Sequence, residues 1–279
     1  MPLTKFLCPD NQVRLISECL EHCHRPEGRC LALGHLTFIG QSQREFTGQS
    51  SVTQLIKPTR LAWLEIVKDY TVNPDDMAFM MYGTLHHRRL EVINKKLEGL
   101  SEQKIIGNIS GTLDRLEPDE LKEGYYKLLD YKLVGAYSVA KALGIGNKGV
   151  EVDPDMFEWE LQLNKYCIMV EAEPTLSELF PISRLLIQAT IRDSGLKQIK
   201  SLGLPCRMPL IPIRRLPKDY VEEYFLSKDY ALHNALESRE MPEMCAYNER
   251  WGGRRCKGYC SVFQYCPEGA MINKVKLEQ

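Results

Sequence analysis

Two sets of four cysteines at opposite ends of the chain constrain its fold more than any other feature. Cys8, Cys19, Cys23 and Cys30 read C-x10-C-x3-C-x6-C, and Cys245, Cys256, Cys260 and Cys266 read C-x10-C-x3-C-x5-C. Only Cys167 and Cys206 lie between them. The amino-terminal MPLTKFLCPDNQ shows no basic stretch followed by an apolar one, so an export signal is not expected and a cytoplasmic location is. In a reducing compartment, grouped thiols favour metal ligation over disulfides. Cys167 and Cys206 read instead as core thiols.

The rest of the composition is that of a globular chain. With 279 residues, 44% hydrophobic and 26% charged, it can bury a sizeable core. The net charge of −1 argues against a generally basic nucleic-acid binder. No apolar run approaches the length of a membrane span, so no membrane partner is expected. Charge is nevertheless uneven. Residues 151–178 are acidic, and residues 184–218 carry Arg184, Arg192, Lys197, Lys200, Arg207, Arg214, Arg215 and Lys218 against Asp193. Such a basic segment could face a phosphate backbone, or it could be a solvated surface.

Periodicity predicts three regions. Residues 1–50 form a cysteine-rich arm, with ISECLEHC as a short helix that places Cys19 and Cys23 on one face. The polar stretch 40–51 reads as a linker. Residues 51–240 form the core, with helices over about 59–70, 76–98, 154–171 and 218–236. Strands are expected over 105–116, 125–134, 185–192 and 208–214, the first two joined by the turn-rich PDELKEG. Residues 241–279 carry the second cysteine set, packed on the core. This order of elements predicts an α/β fold with a central mixed sheet flanked by helices.

Four local patterns follow one another inside this core. Gly83…His87 lies on the long helix, Gly111…Asp114 at a strand end, Asp130-Tyr131-Lys132 in the next strand, and Gln162…Tyr166 on the following helix. Alternation along a strand puts Asp130 and Lys132 on one face and Tyr131 on the other. Asp114 can come from the neighbouring strand. Two carboxylates brought together repel unless a cation sits between them, and oxygen ligands suit Mg²⁺ or Mn²⁺. A D-x-K pair alone is a weak signal, since a strand-edge ion pair explains it equally well.

The ordered set resembles the PD-(D/E)XK nuclease superfamily, specifically its RecB-like branch, which includes the cysteine-cluster nucleases of CRISPR adaptation. The resemblance implies a restriction-endonuclease-like core and a Mg²⁺- or Mn²⁺-dependent DNA nuclease, most often an exonuclease acting on single strands or duplex ends. It implies that His87, Asp114 and Asp130 hold the divalent metal, with the Tyr131 carbonyl as a further ligand. Lys132 would then position the attacking water, and Gln162 and Tyr166 would brace the site or touch DNA. His86 would face away, Glu91 would be a surface contact, and Trp159 and Tyr137 would pack in the core or stack on bases. It also implies an iron–sulfur cluster at Cys256, Cys260 and Cys266. The family usually draws a fourth cysteine from just before the long helices, where this chain has Lys57-Pro58-Thr59-Arg60. Cys245 is one candidate for the fourth thiolate, and Cys8 or Cys30 folding back is another. Zn²⁺ is the other metal that four cysteines suit here, and it is the simplest occupant of the amino-terminal set, with His22 and His24 as substitutes. A protein partner in repair, recombination or CRISPR adaptation fits the same branch. The rival reading is a non-catalytic nucleic-acid-binding or structural subunit of a recombination or repair complex, stabilised by four-cysteine metal sites.

Overall fold

The computed structural model describes residues 3–42, 45–146, 150–193 and 195–278, without the side chains of residues 196–198. Lys197, counted above in the basic segment, is one of these side chains. The chain divides into two compact units. One comprises residues 1–50, 57–81 and 226–279, so both cysteine-rich ends belong to it, and the other comprises residues 51–56 and 82–225.

In the first unit, β1 (Leu3–Leu7) pairs antiparallel with β2 (Val13–Leu15) and parallel with β3 (Tyr70–Val72). A register shift between Leu3 and Lys5 breaks the alternation of β1, so its buried residues are Leu3 and Phe6. That spacing hides the strand from a period-two reading. Helices α1 (Ile16–Glu21) and α2 (Leu33–Gly40) cover this small sheet. Leu3, Phe6, Ile16, Cys19, Leu36 and Ile39 form the core between them. Helix α1 stops at Glu21, so Cys23 lies beyond it and does not share a helical face with Cys19. Gly40 closes α2 within the stretch expected to be a linker.

The rest of the first unit is built on α4 (Thr59–Val67), which follows the four-residue helix α3 (Val52–Leu55) of the other unit. Trp63 donates to the Ala235 carbonyl at 3.0 Å, and Arg60 pairs with Glu268 at 2.6 Å. Tyr265 donates to the Asp69 carbonyl at 2.6 Å.

The second unit holds a five-stranded mixed sheet in the order β4-β5-β6-β7-β8 (Leu100–Ile106, Ser110–Pro118, Tyr126–Val134, Ile182–Ile191, Leu210–Ile213). Only β6 and β7 are parallel, and the chain between them supplies α6 (Ala136–Ala142), α7 (Phe157–Ala172) and α8 (Pro174–Leu179). Such a crossover is what a parallel pair requires. The single strand expected over 105–116 is two strands, because the chain turns at Gly107–Ile109. Asp114 therefore stands inside β5, not at a strand end. The long helix, α5, runs over Ala78–Asn94, shorter than its apolar pattern, with Pro74–Met77 as a 3₁₀ turn before it. The remaining helices are α9 (Leu196–Leu202), α10 (Lys218–Ser238), α11 (Arg254–Gly258) and α12 (Pro267–Asn273). Among the described residues, no helix is long and apolar enough to cross a membrane.

Helix α7 is the element on which the sheet packs. Leu161, Leu163, Ile168 and Val170 are buried on it, with Leu113, Leu116, Leu128 and Ile187 buried on the strands. Each such side chain contributes about 1.5–3 kcal/mol. The polar residues of α7 that share this burial are all paired. Glu160 accepts from Arg214 at 2.6 and 3.2 Å, and Asn164 accepts from the Leu216 amide at 2.9 Å. Arg115, 1% exposed, spends its donors on the carbonyls of Asn94, Glu98 and Leu100. Arg215 also pairs with Glu171, and Arg184 with Asp119 and Glu120. Three arginines of the basic segment are thus neutralised locally, two of them by the acidic stretch on α7.

Packing separates the two motif glycines. A side-chain carbon at Gly111 would lie 2.9 Å from Tyr166 Cε1 and 3.2 Å from Met169, whereas one at Gly83 would meet nothing within 4 Å. Gly111→Ala is expected to destabilise the protein by about 1–3 kcal/mol through overpacking. Gly83→Ala, inside a helix, is expected to stabilise it by about 0.5–1 kcal/mol. Denaturant midpoints of the two variants check this, and equal shifts of one sign would refute it.

Candidate functional site

The site forms where β5 and β6 part. Their ladder pairs Arg115 with Leu129, and one further step would set Asp114 opposite Asp130. There the Tyr131 amide donates instead to Asp114 Oδ2 at 2.7 Å. The carboxylate takes over a bond that the backbone ladder no longer makes. Asp114 and Asp130 are both buried.

Asp130 and Lys132 lie on one face of β6, with Lys132 Nζ 2.7 Å from Asp130 Oδ2. Gln162, from α7, joins them. Its Nε2 donates to Asp130 Oδ1 and its Oε1 accepts from Lys132 Nζ, both at 2.9 Å. A carboxamide is suited to this place because it presents a donor to the carboxylate and an acceptor to the ammonium. One helical turn on, the Tyr166 hydroxyl accepts from Gln162 at 3.3 Å. The Tyr131 ring turns the other way, its hydroxyl accepting from Asn94 at 3.0 Å.

His87 enters from α5, with Nδ1 3.5 Å from Asp114 Oδ2. Burial holds its pKa below the ordinary imidazole value, so near neutral pH it offers a lone pair. His86 is not against Asp114. Its Nε2 is buried and has no hydrogen-bond partner among the described residues.

Glu102 completes the cluster, and no motif pointed to it. It lies on β4 between Ser101, which pairs with Arg115, and Gln103, which pairs with Leu113, and so falls level with Asp114. Its φ of 51° is in the left-handed region, which costs of order 1–3 kcal/mol for a residue with a side chain. Among the described residues, His87, Glu102 and Asp114 are the one His/Cys/Asp/Glu group of three or more whose ligand atoms all lie within 4.8 Å of one another. A strand-like alternation around Glu102 was the sole signal that could have found it, and the left-handed step interrupts that.

The electrostatics fit a cation. Burial, and then the Asp130 charge, push the Asp114 carboxyl well above the usual carboxylate range. Burial and the charges of Glu91 and Asp130 raise Glu102 too. Glu91, although it pairs with Lys95 at 2.5 Å, is thus close enough to add to this field. Among the described residues, Lys132 is the one lysine or arginine at hydrogen-bonding distance of Asp114, Asp130 or Glu102, and it serves Asp130. A hard divalent ion beside His87, Glu102 and Asp114 would relieve the rest.

Of the two aromatics considered for stacking, Trp159 is half-buried and Tyr137 is 55% exposed, so Tyr137 is not a core residue.

The carboxy-terminal cysteines also come together. All ten cysteines are free thiols. Burial raises the Cys245 thiol to about 11 and the Cys260 thiol to about 12, and other members of the set add to each shift. Cys256 is raised by burial and by Cys266. Arg60 Nη1 donates to Cys266 Sγ at 3.6 Å. Cys245 is thus near enough to act electrostatically with Cys256, Cys260 and Cys266, and no three of the four sulfurs lie within 4.8 Å of one another. Where the resemblance would place an early cysteine, this chain supplies a guanidinium.

No protein-family model matches the chain, and no curated protein matches it. A solved structure described as "Crystal structure of SSO0001" is similar with a TM-score of 0.45 and 14% identity, over 83% of this chain and 92% of that one. A likeness this distant does not bear on function.

The raised carboxyls set a pH dependence. A carboxyl whose pKa is higher in the folded state stabilises the fold most at low pH, and that contribution is lost as pH rises through the folded value. A bound cation replaces the proton. Mn²⁺ is therefore expected to raise the melting temperature by several degrees at pH 8, where a hundredfold excess over Kd supplies about 2.7 kcal/mol. The rise is expected to shrink at pH 5 and to disappear in Glu102→Gln. A Mn²⁺ shift that is the same at both pH values would refute this reading.

Proposed function

We propose that the chain is a divalent-metal-dependent DNA nuclease with a restriction-endonuclease-like core. The observation that carries this reading is the Asp130–Gln162–Lys132 network beside the His87–Glu102–Asp114 cluster. It joins an ammonium, a fixed carboxylate and a cation-ready group of ligands within one buried corner. A purely structural ion pair accounts for Asp130 and Lys132, but it gives no reason for two further carboxylates at the same place.

In this reading His87, Glu102 and Asp114, with Asp130 beside them, hold Mg²⁺ or Mn²⁺. The bound ion supplies an activated water and charge stabilisation at a phosphoryl oxygen. Asp130 and Gln162 fix the Lys132 ammonium, which orients the nucleophilic water at the scissile phosphodiester. Tyr166 holds the Gln162 carboxamide in the orientation that serves both partners. The exonuclease preference rests on the resemblance alone, and so do an iron–sulfur cluster at Cys245, Cys256, Cys260 and Cys266 and a partner in repair, recombination or CRISPR adaptation. The mutual electrostatic influence of these four thiols is what favours a resident metal group there.

The test is digestion of end-labelled single-stranded and duplex DNA by the purified chain with Mn²⁺. Cleavage is expected, and Asp130→Ala and Lys132→Ala are each expected to lower it by at least about a hundredfold. Full activity in Asp130→Ala, or intact DNA with the wild type, would exclude the assignment. Binding of DNA without cleavage would favour the non-catalytic reading.

A further inference from the structure

The amino-terminal cysteines belong to the first unit and the carboxylate cluster to the second, and the proposed nuclease makes no use of them. They come from four separate pieces of backbone, each shaped to present its thiol. Cys8 follows β1 and opens a tight turn. Its amide donates to the Gln12 carbonyl and its carbonyl accepts from Asn11, both at 2.9 Å. Asn11 takes φ 60° to close that turn. Cys19 lies on α1, and Cys23 follows the helix end. A second turn, with Gly28 at φ 82° and its amide on the Arg25 carbonyl, brings the chain back to Cys30.

Arg29 fastens this return. Its Nη2 donates to the Leu20 carbonyl at 3.1 Å and the Glu21 carbonyl at 3.4 Å, the open end of α1. That anchor places Cys30 beside the helix that carries Cys19, and both belong to the same apolar cluster. Cys8 and Cys19 are each only 6% exposed. The Cys19 sulfur is near enough to Cys8, Cys23 and Cys30 for all three to act on it electrostatically, and Cys30 acts on Cys8. Three charged side chains face the group: Arg14 and Asp10, paired with each other at 3.8 Å, lie at Cys8, and Arg29 lies at Cys19. Four thiolates on one divalent ion carry a net charge of −2, which Arg29 offsets in part.

We propose that Cys8, Cys19, Cys23 and Cys30 form a four-thiolate zinc site that holds the amino-terminal part of the first unit together. The physical need is visible in the core. Six buried residues and strands of five, three and three residues are a small hydrophobic store for a segment of this length. Zinc sets thiolates about 3.8 Å apart at a Zn–S distance of about 2.3 Å. No three of these sulfurs lie within 4.8 Å of one another. A change of one cysteine rotamer moves its sulfur by about 3 Å. Zinc is chosen over iron–sulfur because the frame, a tight strand turn facing a short helix, is built for one ion with little core.

The experiment measures metal content of the full chain by mass spectrometry after a chelator challenge. Cys30→Ser is paired with Cys19→Ser, because the half-buried Cys30 tolerates a hydroxyl better than the buried position does. Cys256→Ser serves as the control at the other cysteine set. Wild type and Cys256→Ser are expected to keep about one zinc per chain, and Cys30→Ser and Cys19→Ser less than about a tenth of that. Co²⁺ exchanged into the wild type is expected to give thiolate charge-transfer absorption that Cys30→Ser lacks. Zinc retained in Cys30→Ser, zinc lost in Cys256→Ser, iron in its place, or no zinc in the wild type would each overturn the proposal. Mn²⁺ binding at the carboxylates is unaffected by any of these outcomes, so failure here is distinct from failure of the nuclease reading.

Discussion

Carboxylates taken from water and set near one another shape the second unit. Burial and then neighbouring charge raise the cost of ionising Asp114 and Glu102, and the fold relieves only part of it. Lys132 neutralises one oxygen of Asp130, Gln162 donates to the other, and the Tyr131 amide donates to Asp114. Among the described contacts, nothing equivalent serves Glu102. The left-handed backbone there adds local strain to the electrostatic cost. Charge and strain concentrated in one corner are what a place shaped for a ligand would show.

That corner depends on how α7 is packed. The helix is buried on most sides, and Gly111 lets Tyr166 and Met169 approach β5 closely. The approach carries Gln162 to the carboxylates on β6. If the helix stood off by the width of a methyl group, the carboxamide would lose one partner, and Lys132 would lose its second hold. Packing and electrostatics are thus coupled through one small residue. In the first unit the same logic applies to thiols. Short elements with little apolar surface bring cysteines together, and both proposed metal groups would supply cohesion that burial alone does not.

Much of this is legible in the chain itself. Asp130 and Lys132 are readable as neighbours because strand alternation is strict, and Gln162 and Tyr166 because four residues make about one helical turn. His87 stands out over His86 by its distance from Gly83. Yet Gly83 has open space around it, so the glycine in that motif has no packing reason here, whereas Gly111 has a clear one. Periodicity does not reveal β1, because a register shift breaks its alternation. It overextends α1, since ISECLEHC keeps helical spacing after the helix has ended. The basic segment looks available for phosphate, but three of its arginines are held by acids whose positions depend on the fold.

Local chemistry is written in the chain: which residue types occur, at which period, and in what order along the mixed α/β pattern. These are properties of near neighbours, and backbone geometry converts them directly into faces. Long-range closure of the chain brings Glu102 to His87 and Asp114, sets Arg60 against Cys266, and ties back α1's open end with Arg29. Each of these rests on contacts that the local pattern does not specify, most of them between segments distant in sequence. Their burial and mutual charge exist only once the chain has closed on itself.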